Sequence, residues 1–179
     1  MRTGDYLQSL LIHDLGTFEH CVRVARNLRS VARFLELEPE IANQLVLAGL
    51  LHDIGKLKVS KEVLTGKEPL DDFGRGEIKK HPSAGRVIAQ SIGTGSLIQE
   101  LIVSHHEPGY PRTSTRVPDE NYVLKQLVRL ADKVDALKSR RSYKSEFSDS
   151  ICKRLLLDEG FGEDLIDLLL VYYSKGSSV

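Results

Sequence analysis

Five of the six histidines in this sequence, His20, His52, His81, His105 and His106, fall within or at the ends of apolar helical patterns. Asp53 and Asp132 share that setting. His52 and Asp53 are adjacent, and Lys56 follows three residues later, where LVLAGLLHDIGKLKVS turns from apolar to polar. One histidine on an apolar face is usually a core residue with its ring hydrogen-bonded. Five of them, with two carboxylates, are costly to bury unless something pairs them, and a divalent metal pairs them most economically. Imidazole nitrogens and carboxylate oxygens suit iron, manganese, zinc or nickel. The two cysteines, Cys21 and Cys152, are too far apart in sequence to suggest a thiolate site and match buried, reduced thiols.

The elements that must position these groups are helices. Residues 18–35 place Val22, Ala25, Leu28, Val31, Ala32 and Leu35 on one face, with Thr17 as the expected N-cap. Residues 40–51 are apolar nearly all round, as in a central bundle helix, with Pro39 in the first turn and the element ending at Gly55. Residues 57–73, broken by Gly66 and Pro69, suggest a loop with short helical turns. Two helices, 72–80 and 82–91, meet at His81, and another runs from Ser96 to about His106. EPGYPRTSTRVPDEN is an exposed loop, followed by helices over 122–138, 149–158 and 163–173. No alternating run asks for a strand. The expectation is one all-α, single-domain helical bundle over 17–173, preceded by a segment 1–16 and followed by a flexible tail 174–179.

Composition narrows the function classes. Lysine plus arginine equals aspartate plus glutamate at 25 each, so no global field favours nucleic acid or a membrane surface, and an anionic ligand must be caught locally. No apolar run reaches the length of a membrane span, and the expected location is the cytoplasm.

HDIGK, then KVSKEVL, KKHPSAG, HHE, GYP, and LADKVDAL with RRSYK, in that order, resemble the HD-GYP branch of the HD metal-dependent phosphohydrolase superfamily. The resemblance covers about residues 17–169. It implies an HD-type bundle with a metal centre in its core holding two divalent ions, iron or manganese first and nickel or zinc as alternatives. Asp53 is then expected to bridge the ions and His52 to bind one, with His81, His105 and Asp132 as further ligands. His20 and His106 match positions used for an additional metal or for contacts to the substrate phosphate. Lys56 matches the lysine that touches the scissile phosphate, and Arg141 and Lys144 match basic positions that hold a phosphate of a cyclic dinucleotide. Tyr110, in GYP, is a substrate contact or a turn residue. Asp53, Lys56 and His106 form the expected catalytic set, with His106 a proton donor to the leaving group or a ligand.

Two departures bear on this. Gly16 stands where many members carry a glutamate four residues before His20, which argues for two ions rather than three. HHEPGYP is four residues shorter than the family's HHExxDGxGYP. The expected activity is a phosphodiesterase acting on a cyclic dinucleotide such as cyclic diguanylate, or on a related nucleotide phosphodiester. The alternatives are an HD-type phosphohydrolase for another nucleotide or small phosphate ester, and a metal-bound signalling module that binds a partner without turnover. Regulation is expected from a signalling protein partner or from the N-terminal segment.

Overall fold

The structure is a computed structural model that describes residues 2–66, 69, 71–107, 120–139 and 147–176, with side chains through Tyr173. Among the described residues there are helices and turns but no strand, as the periodicity requires. The order is α1 (Thr3–His13), α2 (Leu15–Phe34), α3 (Pro39–Leu51), a 3-10 turn (Ile54–Lys58), α4 (Lys61–Thr65), α5 (Asp72–Lys79), α6 (His81–Ser91), α7 (Ser96–Ser104), α8 (Tyr122–Lys138), α9 (Asp149–Asp158) and α10 (Glu163–Gly176).

The start of α2 lies ahead of the expected one, residue 18 with Thr17 as its cap. Residues 1–16 contain a helix, α1, whose Leu10 is wholly buried. Asp14 alone separates it from α2, in an extended conformation. The Asp14 carboxylate accepts the Thr17 amide at 3.1 Å and so caps α2, leaving Thr17 inside the first turn rather than at the cap. At the other end of the chain, α10 runs to Gly176, past Tyr173 where the apolar pattern stops.

Helix α2 is the hub: it packs on α1, α3, α8 and α10, while α3 also meets α7 and α8. Between them lie Leu28, Leu45, Leu51, Leu101, Leu127 and Leu130, all fully buried. Each such leucine contributes about 1.5–3 kcal/mol relative to an exposed position. Helix α6 packs on the 3-10 turn and on α7. No helix among the described residues is long and apolar enough to cross a membrane.

Two glycines bring the 3-10 turn against α6. A Cβ at Gly55 would lie inside the contact distance of the His81 carbonyl oxygen and the Gly85 amide nitrogen, and one at Gly85 would press on the Ile102 side chain. HDIGK and HPSAG therefore carry their glycines because backbone meets backbone there. Gly55→Ala should cost about 1–3 kcal/mol by overpacking. Denaturant unfolding would register it, and an unchanged midpoint would mean the two elements separate easily.

His13, which matched no motif, has a structural contact: its Nε2 lies 2.8 Å from the Val59 carbonyl oxygen. Lys61 Nζ donates to the Ile12 carbonyl at 3.1 Å. The end of α1 is thus tied to the end of the 3-10 turn.

Candidate metal centre

Three histidines occupy helix ends, where backbone carbonyls have no partner in their own helix. His52 directly follows α3, and its Nδ1 donates to the Gly49 carbonyl at 2.8 Å. His81 follows the end of α5 and donates from Nδ1 to the Ile78 carbonyl at 2.6 Å. His105 directly follows α7 and donates from Nδ1 to the Ile102 carbonyl at 2.6 Å. A carbonyl only accepts, so Nδ1 carries the proton in all three rings and each Nε2 of a neutral ring offers a lone pair inward. His20 is the exception, in the second turn of α2. Its Nδ1 meets Asp135 Oδ2 at 2.7 Å.

The four Nε2 atoms converge in two pairs. His20 and His52 are 3.2 Å apart, and His81 and His105 are 3.1 Å apart. Asp53 lies between the pairs, 2% exposed. Its Oδ1 is 3.0 Å from His81 Nε2 and 3.9 Å from His105 Nε2. Its Oδ2 is 3.5 Å from His52 Nε2 and 3.8 Å from His20 Nε2. Asp132 Oδ1 adds a further oxygen 3.0 Å from His20 Nε2. Lone pairs facing one another at such distances repel unless a positive charge lies among them. Two ligands bound at about 2.1 Å to one ion, at right or tetrahedral angles, stand roughly 3.0–3.4 Å apart. The donor set fits divalent ions on both counts. Possible ligand groups are His20, His52 and Asp132 on one side, and His81, His105 and His106 on the other.

Charge around the centre follows from this packing. Burial alone would raise the Asp53 carboxyl, but Lys56, His52 and His81 hold it well below the usual carboxylate range. Lys56 Nζ donates to Asp53 Oδ2 at 2.6 Å and keeps 22% of its side chain exposed. Burial, and after it the neighbouring His52, pushes His105 down to about 3. His20 moves the other way: burial opposes its charge, yet contacts to Asp132 and Asp135 raise it to about 9. Without metal, a proton on His20 serves where a cation otherwise would.

These opposite shifts give a pH signature for the metal-stripped protein. A histidine raised from 6.5 to about 9 stabilises the fold fully below pH 6.5, and that contribution is lost as pH rises through 9. A histidine lowered from 6.5 to about 3 resists protonation, so stability falls as pH drops from 6.5 toward 3. Thermal stability of the stripped protein should therefore peak near pH 6.5. A midpoint still climbing between pH 7 and 9 would contradict the His20 assignment.

Of the residues singled out in the sequence, His20, His52, Asp53, Lys56, His81, His105, His106 and Asp132 are brought together. The His106 ring is exposed at the mouth, its centroid 4.0 Å from that of His105 and 5.1 Å from that of His81. Tyr110, Arg141 and Lys144 lie outside the described residues. Cys21 and Cys152 are both buried. Burial and the Asp53 charge raise the Cys21 thiol, which keeps it neutral beside His52 and Asp53.

Sequence reasoning missed Asp135 and Arg23. Asp135 is fully buried, and Arg23 grips it with Nε at 2.8 Å from Oδ1 and Nη2 at 3.0 Å from Oδ2. The spacing held a signal for both: Asp135 is one helical turn past Asp132, and Arg23 is one turn past His20.

Comparison with known proteins places the chain in a family. The HD domain family model matches residues 17–137. The chain is similar to the cyclic di-GMP phosphodiesterase PA4108 of Pseudomonas aeruginosa, with 32% identity over 143 residues, 77% of this chain and 34% of that protein. It is also similar to the 3'3'-cGAMP-specific phosphodiesterase 1 of Vibrio cholerae, with 31% identity over 136 residues, 74% of this chain and 31% of that protein. The chain thus spans about a third of the length of these curated relatives. Among solved structures, the HD domain of L. monocytogenes phosphodiesterase PgpH in complex with cyclic-di-AMP matches with a TM-score of 0.68 at 17% identity, over 94% of this chain and 93% of that one. That likeness is one of fold.

Proposed function

The chain belongs to the HD domain family, and on that premise we propose that it is a metal-dependent phosphohydrolase of the HD-GYP type, a phosphodiesterase for a cyclic dinucleotide such as cyclic diguanylate or a related nucleotide phosphodiester. The observation that carries this reading is the placement of Asp53, with one carboxylate oxygen toward His81 and His105 and the other toward His52 and His20. One buried carboxylate shared by two imidazole pairs is suited to bridge two cations. The relatives named above, which act on cyclic di-GMP or 3'3'-cGAMP by their names, support the substrate class.

In this proposal the ligands are His52, Asp53, His81, His105 and Asp132, with His20 and His106 completing the set, and the ions are iron or manganese. Bound divalent ions supply an acidified water near neutral pH and neutralise phosphoryl oxygens. The chain does the rest. The Nδ1 contacts fix ring orientation, and Asp53 holds the two sides in register. Lys56, whose ammonium donates to Asp53 and whose side chain stays partly exposed, would meet a non-bridging phosphate oxygen. His106, exposed and with burial lowering its affinity for protons, stands where it can pass a proton to a leaving oxygen. Arg141, Lys144 and Tyr110 belong to the proposed substrate contacts. The reducing cytoplasm is its proposed location, and the buried Cys21 thiol suits it.

The test is an assay of purified protein with iron or manganese against cyclic diguanylate, 3'3'-cGAMP, the linear dinucleotide and an aryl phosphodiester. No hydrolysis of any of them would leave the metal-bound signalling module as the better reading. The shortened HHEPGYP gives the assay a second expected outcome. A shorter tether covers less of the mouth, so linear or generic phosphodiesters should be cut at least as well as cyclic diguanylate. A strong cyclic preference would mean that loop length does not select substrate.

A further inference from the structure

His20 differs from the other buried histidines in how its far nitrogen is satisfied. His52, His81 and His105 use helix-end carbonyls that their helices leave free. His20 sits inside α2, where the carbonyl three residues back, that of Thr17, belongs to the helix ladder. The acceptor for its far nitrogen comes instead from another helix. Asp135 on α8, 115 residues away in sequence, supplies it at 2.7 Å.

The acceptor is itself held. Arg23, one turn after His20 on α2, grips Asp135 with a two-pronged contact, and Ser139 Oγ donates to Asp135 Oδ2 at 2.9 Å. Ser139 Oγ in turn lies 3.2 Å from the Tyr173 hydroxyl on α10. Asp135 therefore cannot swing away without breaking the Arg23 ion pair and the Ser139 contact together.

The geometry points to Asp135 as a positioning residue for the metal centre: it keeps the proton of His20 on Nδ1 and the lone pair of Nε2 turned inward, and Arg23 keeps Asp135 in place. The inference rests on the reading of His20 as a ligand. A carboxylate behind a ligating imidazole fixes its tautomer and angle, and loss of such a residue typically weakens metal binding about 10–100-fold.

The test titrates Co2+ alone into the full, metal-stripped chain, following affinity and the visible absorption of the bound ion. Wild type, His20→Ala, Asp135→Asn and the double variant are compared, with thermal unfolding as a check on folding. Asp135→Asn should bind Co2+ about 10–100-fold more weakly with an altered spectrum. His20→Ala should lose at least as much, and the double variant should be no weaker than His20→Ala, because Asp135 acts through that ring. A normal titration for Asp135→Asn beside a weakened His20→Ala would overturn the positioning role and leave the ligand reading standing. Normal binding by His20→Ala would overturn the ligand reading itself. A further loss in the double variant would show that Asp135 supports the fold at large, which also overturns the inference. Should Asp135→Asn not fold, Arg23→Lys keeps the charge but not the fork, and should weaken binding by up to about tenfold. That loss should vanish in the His20→Ala background. Equal losses in both backgrounds would overturn the role.

Discussion

Asp53→Ala protein should emerge from purification nearly free of divalent ions, where the unaltered chain holds about two, and its turnover should fall by more than about a thousandfold. The reasoning starts from position. Among the described residues, Asp53 is the side chain with an oxygen toward each histidine pair, so its loss affects both proposed ion sites at once. A single transition-state donor is worth about 100–1,000-fold. A bridging ligand takes the ions with it and should cost more. The remaining Nε2 pairs, at 3.1 and 3.2 Å, would then face one another with less negative charge to attract a cation. Elemental analysis of wild type and variant decides the matter. Unchanged metal content would remove Asp53 from the bridging role and the two-ion reading with it.

Lys56→Ala should behave oppositely: full metal content with turnover lower by about tenfold to a thousandfold. In the structure the ammonium is 2.6 Å from Asp53 Oδ2, so it competes for an oxygen that an ion would use. Removing it leaves the carboxylate more available to cations. What is lost is the positive charge at the mouth. Measured together, metal content and turnover separate the two residues. A Lys56→Ala protein that loses its ions, or keeps full activity, would show that this lysine does not act on the phosphate.

Much of this molecule could be read from local sequence. The helix bounds Tyr122–Lys138 and Asp149–Asp158 agree with the expected ones, because polar or turn-forming stretches delimit both. The boundary before α2 was harder. Only Asp14 separates α1 from α2, with no proline there to mark the break, and the cap depends on which N–H that carboxylate reaches. The candidate ligands were legible for a similar reason to the helices. His52, His81 and His105 mark helix ends, and ends have sequence signals. Asp135 carries no such mark. Its role depends on how α2 and α8 face each other, and an aspartate one turn past Asp132 has the same local pattern whether it meets solvent or a histidine ring.

The helix-end seats of His52, His81 and His105 also bear on how this centre tolerates genetic change. A side-chain acceptor can be deleted by one codon substitution, but a backbone carbonyl is present whatever residue stands at positions 49, 78 or 102. Three of the four inward rings are therefore supported by atoms that substitution does not remove. The mutational target behind them shrinks to residues that change the helix ends themselves, whereas His20 depends on a particular side chain at position 135. What limits drift at the three helix ends is then packing, as at Gly49, where a Cβ would crowd Leu28, and not the acceptor; along the facing turns of α2 and α8 it is the acceptor itself.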